Sequence, residues 1–447
     1  MIASDDHCDG GEKEEFFDAF ESPLELEKAS IGPYPRETIR FPFVKSITSI
    51  SDYRDSGSMH ENLGLSSDRT SIRSVQKSFS LKSGVDVHDF PLRLKSEIIE
   101  DISFSNLHLA QELNVVRNSK NEAWIMKFSE SSKHLAVTGN SGIISIYDTN
   151  LMINESEILK STPTQILTHH TDKVTDLSWN QAGLLISASL DCTVRLWNKS
   201  ENPIFTYQHP CPVHSVCFHP TISGYFATAA EDRIIRIFNI TSGQVEANYK
   251  VASDIYVIKY SPLGDFLVAG LSHGKVMLYQ SPNSDLRLRF HSILKSRNRS
   301  GFKCFGKKVT GLEFTNNDLL LITTNDSRLR LFQYKTSNLI QKYKGTSNSK
   351  FPISASFSSD FDRIICGSEK GKFFIWKTLG ENSEKDPEKN NNFEAFGPRS
   401  QKVAEFSMFS PKRVVSLANS KFKLNEVKEV IFTISSQGTL KIFYNFN

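Results

Sequence analysis

The sequence predicts an all-β fold, a seven-bladed β-propeller preceded by a disordered acidic and Ser-rich N-terminal region. The first observation is a repeat. From about Asn106 onward a polar turn residue is followed six positions later by an aromatic that closes a short β-branched run. The pairs are Ser141/Tyr147, Asp191/Trp197, Asp232/Phe238, His273/Tyr279, Asp326/Phe332, Lys370/Trp376 and Gln437/Phe443. The second observation is the pattern inside each run. Cys192–Trp197 (CTVRLW) and Ser327–Phe332 (SRLRLF) alternate or run continuously apolar, as sheet strands do. The third is the spacing. Successive aromatics lie 50, 41, 41, 53, 44 and 67 residues apart, and the shortest values match a four-stranded blade repeat.

Taken in chain order, residues 1–28 come first. Ten acidic residues and two lysines give this stretch 2 − 10 = −8, so with a net charge of +3 the remaining residues carry +11. An acidic tail thus precedes a mildly basic body. Glu15-Phe16-Phe17-Asp18-Ala19-Phe20-Glu21 sits in this tail, with further acid at Asp5, Asp6, Asp9, Glu12 and Glu14. Two adjacent phenylalanines in so acidic a tract are poorly placed for a core, and each contributes roughly 1.5–3 kcal/mol if desolvated on a partner. Ala19 lets the backbone lie close to a surface, and the carboxylates speed encounter with a basic face. A second reading stays open: Phe17, Phe20 and Leu24 fit helical spacing, so the tract could pack on its own chain, although Pro23 argues against a long helix. The start MIASDDHCDG has no basic and apolar signal-peptide regions, and no apolar run approaches a membrane span. Any membrane association is therefore expected to be peripheral.

Residues 29–105 are polar, with eleven serines between Ser46 and Ser80, and read as a disordered linker with a short helix around Leu92–Ile102. Its r.m.s. reach is about 50 Å. The propeller is assigned to 106–447. Its last repeat closes at Phe443 with four residues to follow, too few for a fourth strand. The outer strand of that blade is expected from Leu107–Val116 (LHLAQELNVV), just ahead of the first inner strand at Trp124–Phe128, since otherwise two sheet edges stay open.

In the second repeat His170, Ser187, Asp191 and Trp197 resemble the hydrogen-bond tetrad of WD repeats. The third offers His209, Thr228 and Asp232 but ends in Phe238, which has no N–H to donate, and other repeats depart further. These histidines are expected to serve the network rather than a metal or a reaction. His169 and His170 are adjacent, His214 and His219 lie in a strand and its exit, and no phosphate-binding loop, nucleophile elbow or metal-ligand spacing appears. The expectation is no enzyme, no metal and no cofactor. Six cysteines (Cys8, Cys192, Cys211, Cys217, Cys304, Cys366) form no CxxC pair, as expected of a reduced, cytoplasmic protein.

Two blade connections read as long insertions. Residues 281–308 hold Arg287, Arg289, Lys295, Arg297, Arg299, Lys303, Lys307 and Lys308 against one aspartate, with Phe290, Phe302 and Phe305 between them. The stretch is either a basic face for an acidic partner or an anionic membrane surface, or a solvated loop that happens to be basic. Nucleic acid fits poorly, because the body lacks strong overall basic charge and RNA-module motifs. Residues 379–399, charged and Asn-rich, read as a polar surface loop.

The tract Glu15, Phe16, Phe17, Asp18, Ala19 and Glu21 resembles an FFAT motif, the acidic peptide that docks on the MSP domain of VAP receptors at the endoplasmic reticulum. LAQEL, AWIMKFS, GKKVTGLEF, TTNDSRLRLF, KYKGTSNSKFPISASFSSDF and GSEKGKFFIW follow in order. With the EEFFDAFE start, the chain is similar to rabphilin-like WD-repeat effectors of recycling-endosome Rab GTPases. The resemblance covers residues 107–378 well, the first 21 by motif and the seventh repeat loosely. It implies a monomeric, non-enzymatic adaptor, cytoplasmic and peripherally held at endoplasmic reticulum and endosomal membranes. Animal members carry a proline-rich Rab-recognition region before the propeller, which this sequence lacks, so no residue is assigned to Rab binding. The competing reading is a generic WD-repeat scaffold, such as a ubiquitin-ligase substrate receptor or a nuclear complex subunit.

Overall fold

The computed structural model describes residues 92–93, 97–98, 104, 106–115, 122–154, 162–198, 200–281, 286–296, 307–379, 389–390, 392–397, 404–422 and 427–446. The acidic tract and nearly all of the Ser-rich stretch lie outside these residues. The strands form seven antiparallel-based sheets, each a blade with an inner strand toward the ring axis and an outer strand at the rim. The first blade runs Ala123–Phe128, His134–Gly139, Ile144–Asp148, Gln165–Leu167. The second runs Val174–Trp179, Leu185–Ser189, Thr193–Trp197, Phe205–Gln208. The third runs Val213–Phe218, Tyr225–Ala230, Ile234–Asn239, Val245–Lys250.

The fourth blade is Ile255–Tyr260, Phe266–Leu271, Lys275–Gln280, Arg289–Lys295. The fifth is Val309–Phe314, Leu319–Thr324, Arg328–Gln333, Asn338–Tyr343, with Lys389–Asn390 added in parallel. The sixth is Ala355–Phe357, Arg363–Gly367, Phe373–Lys377, Glu394–Phe396, with Glu97–Ile98 on its edge. The seventh takes Glu405–Phe409, Val427–Ser435 and Thr439–Phe446 from one end of the propeller sequence and Leu107–Asn114 from the other.

Burial follows from this layout. Second strands are sandwiched between neighbouring blades, so both faces are dry: every residue of Leu185–Ser189 and Phe266–Leu271 is buried. The closing strand Leu107–Asn114 alternates buried and more exposed positions, as a strand with one wet face does. Blades meet closely where the second strand ends. A methyl group on Gly367 would lie 1.8 Å from the Glu405 carbonyl of the next blade, so only hydrogen fits there.

Three expectations are corrected. The helix expected around Leu92–Ile102 is replaced at the described positions by two short strands, Leu92–Arg93 on the seventh blade and Glu97–Ile98 on the sixth. Free backbone edges there outcompete local helix formation, and Phe104 is buried beside Phe396 and Phe409. The polar insertion 379–399 is not all loop, because Glu394–Phe396 is the outer strand of the sixth blade and all three residues are buried. The basic run 281–308 likewise contains the outer strand Arg289–Lys295 of the fourth blade.

Two helices sit on connections at one face, α1 (Thr149–Asn154) and α2 (Lys412–Phe422), and pack on each other. Val414 and Ala418, four apart on α2, are buried together with Met152 of α1. Helix α2 and the distant sixth-blade outer strand account for the 67-residue spacing of the last two aromatics.

Candidate functional site

Because strands in a blade are antiparallel, the turns joining second to third strands share one face with the links that lead into the next blade. In the second blade that face holds a closed network. His170 Nδ1 lies 2.7 Å from an Asp191 oxygen and its Nε2 lies 2.7 Å from Ser187 Oγ. The Trp197 indole N–H donates to the same hydroxyl at 2.8 Å, and Thr193 donates to Asp191 through both its backbone N–H and its hydroxyl. Burial works to raise the Asp191 carboxyl, but hydrogen bonds from His170 and Thr193 outweigh it and hold the group well below the usual carboxylate range. Burial lowers the His170 imidazole. His170, Ser187, Asp191 and Trp197 are therefore one hydrogen-bonded unit with its valences used internally.

Other blades solve the same problem with the help of Arg236, Arg330 and Glu369, which the sequence reading did not single out. In the third, His209 Nε2 meets Thr228 Oγ1 at 2.9 Å, while Asp232 is taken by Arg236. Burial, with Arg236 next, pushes His209 down to about 4. In the fifth, Arg330, 1 % exposed, donates to Asp326 at 2.6 Å and to Thr324 at 2.8 Å. The sixth uses Glu369, whose carboxylate accepts the backbone N–H groups of Ser349, Lys350 and Phe351. A readable signal existed for the arginines: both stand four residues after the turn aspartate, as Asp232/Arg236 and Asp326/Arg330. Nothing comparable flagged Glu369, which is one residue before the expected turn position Lys370.

Among the described residues this side also presents a polar cluster between the third and fifth blades. His214 Nε2 lies 3.4 Å from Glu231, Arg233 pairs with Asp254 at 2.8 Å, and Lys308 Nζ stands 5.2 Å from the Tyr256 ring centroid. Burial lowers His214 and raises Tyr256. These groups offer hydrogen bonds, charge and an aromatic ring on strands fixed by the blade cores, which is equipment for binding another macromolecule.

The eight basic residues of 281–308 do not form one loop. Arg287 lies on a segment fastened to the third blade, where Tyr249 donates to the Leu286 carbonyl and accepts from the Leu288 N–H. Arg289 and Lys295 end the fourth outer strand at the rim, and Lys307 and Lys308 lead into the fifth inner strand. Arg297, Arg299 and Lys303 lie outside the described residues, as do Glu15, Phe16, Phe17, Asp18, Ala19 and Glu21. Among the described residues no group of three His, Cys, Asp or Glu could hold a metal ion, and no helix is long and apolar enough to cross a membrane.

A seven-bladed ring with this tetrad is the architecture of WD-repeat propellers. Residues 161–198 and 201–239, the second and third blades, match the family model described as WD domain, G-beta repeat, so the ring carries WD repeats. It is similar to WD repeat-containing protein 44 of Xenopus laevis, 34% identical over 220 residues, which is 48% of this chain and 24% of that protein. An uncharacterized WD repeat-containing protein of Schizosaccharomyces pombe is 26% identical over 287 residues, 58% of this chain and 48% of the relative. The E3 ubiquitin-protein ligase COP1 of Pisum sativum is 22% identical over 346 residues, 76% of this chain and 47% of the ligase. The chain thus spans between about a quarter and a half of these relatives' lengths.

Proposed function

We propose that this WD-repeat scaffold is a non-enzymatic adaptor of membrane traffic. In this reading Glu15–Glu21 docks on the MSP domain of a VAP-type receptor at the endoplasmic reticulum, and the propeller binds a small GTPase of the Rab class. The carrying observation is the Phe16-Phe17 pair inside a tract of charge −8 on a chain whose described residues build a rigid ring. Desolvating two phenylalanines supplies the affinity, and the surrounding carboxylates supply fast, salt-sensitive capture. The polar cluster around His214, Tyr256 and Lys308 suits a protein partner on the ring itself. A monomer, cytoplasmic and held at membranes through partners, with the basic residues near the fourth blade helping at an anionic surface, completes the proposal.

A second reading is a substrate receptor of a ubiquitin ligase, favoured by the similarity to an E3 ubiquitin-protein ligase over 346 residues. Affinity capture with the full chain and with a Phe16→Ala/Phe17→Ala variant separates the two. The adaptor reading expects receptors of the endoplasmic reticulum to vanish from the variant's partners while propeller partners persist. Ligase components in both captures, with no membrane protein lost, would favour the second.

A further inference from the structure

Blades five, six and seven each carry a fifth strand borrowed from elsewhere in the chain: Lys389–Asn390, Glu97–Ile98 and Leu92–Arg93. The outer strands of blades one to four are paired on one side only among the described residues. Three of these edges are guarded in the usual ways. Those of the first and second blades are three and four residues long, and that of the third carries Glu246. The fourth also carries charge, Arg289 and Lys295 at its two ends, but it exposes two apolar side chains between them. Arg289–Lys295 (RFHSILK) is seven residues long and holds no carboxylate. Its Phe290 and Ile293 are 49 % and 40 % exposed.

The register explains how those two side chains come together. Phe290 lies opposite Tyr279 and Ile293 opposite Met277, and a bulge between them puts both on the face toward the third blade. They extend the core between those blades outward into solvent. Lys295 lies opposite Lys275 at one end of this face, and Arg289 begins the strand on the other face. The Tyr249 hydroxyl fastens the approach to this strand, so the edge is preformed.

We propose that the outer edge of the fourth blade takes an extended acidic segment of a partner protein as a fifth strand. Backbone pairing continues the sheet, apolar side chains at alternate positions cover Phe290 and Ile293, and carboxylates on the segment's other face lie beside Arg289. The ring's own use of strand addition on three blades shows that its outer edges accept such a partner. This surface is independent of the N-terminal tract.

The test uses the full chain and a fluorescent eight-residue peptide alternating glutamate with valine. Saturable binding is expected, weakened by salt and about tenfold weaker in Arg289→Glu and in Ile293→Glu. Both positions are exposed, so unchanged thermal melts will verify folding of the variants. Amide hydrogen exchange of 289–295 slows when the peptide is bound. Absence of saturable binding, wild-type affinity in both variants, or protection confined to another blade overturns the proposal. So does capture of phosphatidylserine vesicles through these residues without peptide binding, which would make the rim a membrane surface. The Phe16→Ala/Phe17→Ala chain should bind the peptide as wild type does, so failure here leaves the docking role of Glu15–Glu21 untouched.

Discussion

Ser187 is the joint of the second-blade network, because His170 and Trp197 both end on its hydroxyl. Ser187→Ala strands an imidazole nitrogen and an indole N–H in a dry site, a loss of about 2–3 kcal/mol. Trp197→Phe loses about 1 kcal/mol of hydrogen bonding and also opens a cavity where a fully buried indole stood, so it should cost at least as much as Ser187→Ala. Denaturant unfolding of the two variants checks that order. His209 provides a pH signature. Its folded pKa of about 4 lies below the ordinary 6.5, so the unfolded chain binds the extra proton between those values. Stability contributed by neutral His209 is present above pH 6.5 and is lost as pH falls toward 4, with a slope of up to about 1.4 kcal/mol per pH unit. Burial raises Glu405 and Glu429 to about 7, which favours folding at low pH and opposes this trend. The comparison that isolates His209 is wild type against His209→Asn, whose difference in stability should shrink as pH falls from 6.5 to 4.

At the scale of elements, the strands at 92–98 and 107–114 hold the last two blades. Leu107–Asn114 completes the seventh, and the two short strands before it lie on the sixth and seventh with Phe104 buried between their cores. Removing residues 1–91 should leave the thermal melt unchanged. Removing 1–105 should lower it, since burial of Phe104 alone is worth about 3 kcal/mol. Removing 1–117 should give insoluble protein, because Thr439–Phe446 then becomes a bare edge. Equal melts for all three would refute the closure. Gly367→Ala drives a methyl into the Glu405 carbonyl and should destabilise the junction of blades six and seven more than Gly183→Ala, where a methyl meets open space and only the positive φ of 81° opposes it.

For the molecule as a whole, the ring was legible because its third strands carry a strong local code. Each of the seven turn/aromatic pairs falls on a second-to-third strand turn and the third strand that follows. Those strands are buried on both faces, so their apolar runs are long and fixed. Outer strands run from three to eight residues; the closing strand Leu107–Asn114 alternates and was legible, whereas Glu394–Phe396 lies within an Asn-rich stretch. The position of that short strand is set by a free backbone edge, which leaves no side-chain pattern to read. The tetrad of the second blade could be named from its residue types and the arginines from their place four residues after a turn aspartate, whereas Glu369 could not, since a turn glutamate becomes structural only through the geometry around it. The same logic bears on function. The ring spends His170, His209 and several turn carboxylates on itself, leaving its rims and the polar cluster around His214 open to partners.

Calorimetric titration of the full chain with a purified VAP-type MSP domain tests the adaptor reading most directly. Saturable binding that weakens with salt and falls by about tenfold or more in Phe17→Ala is the predicted result. No heat of binding, or identical affinity in the variant, would contradict it.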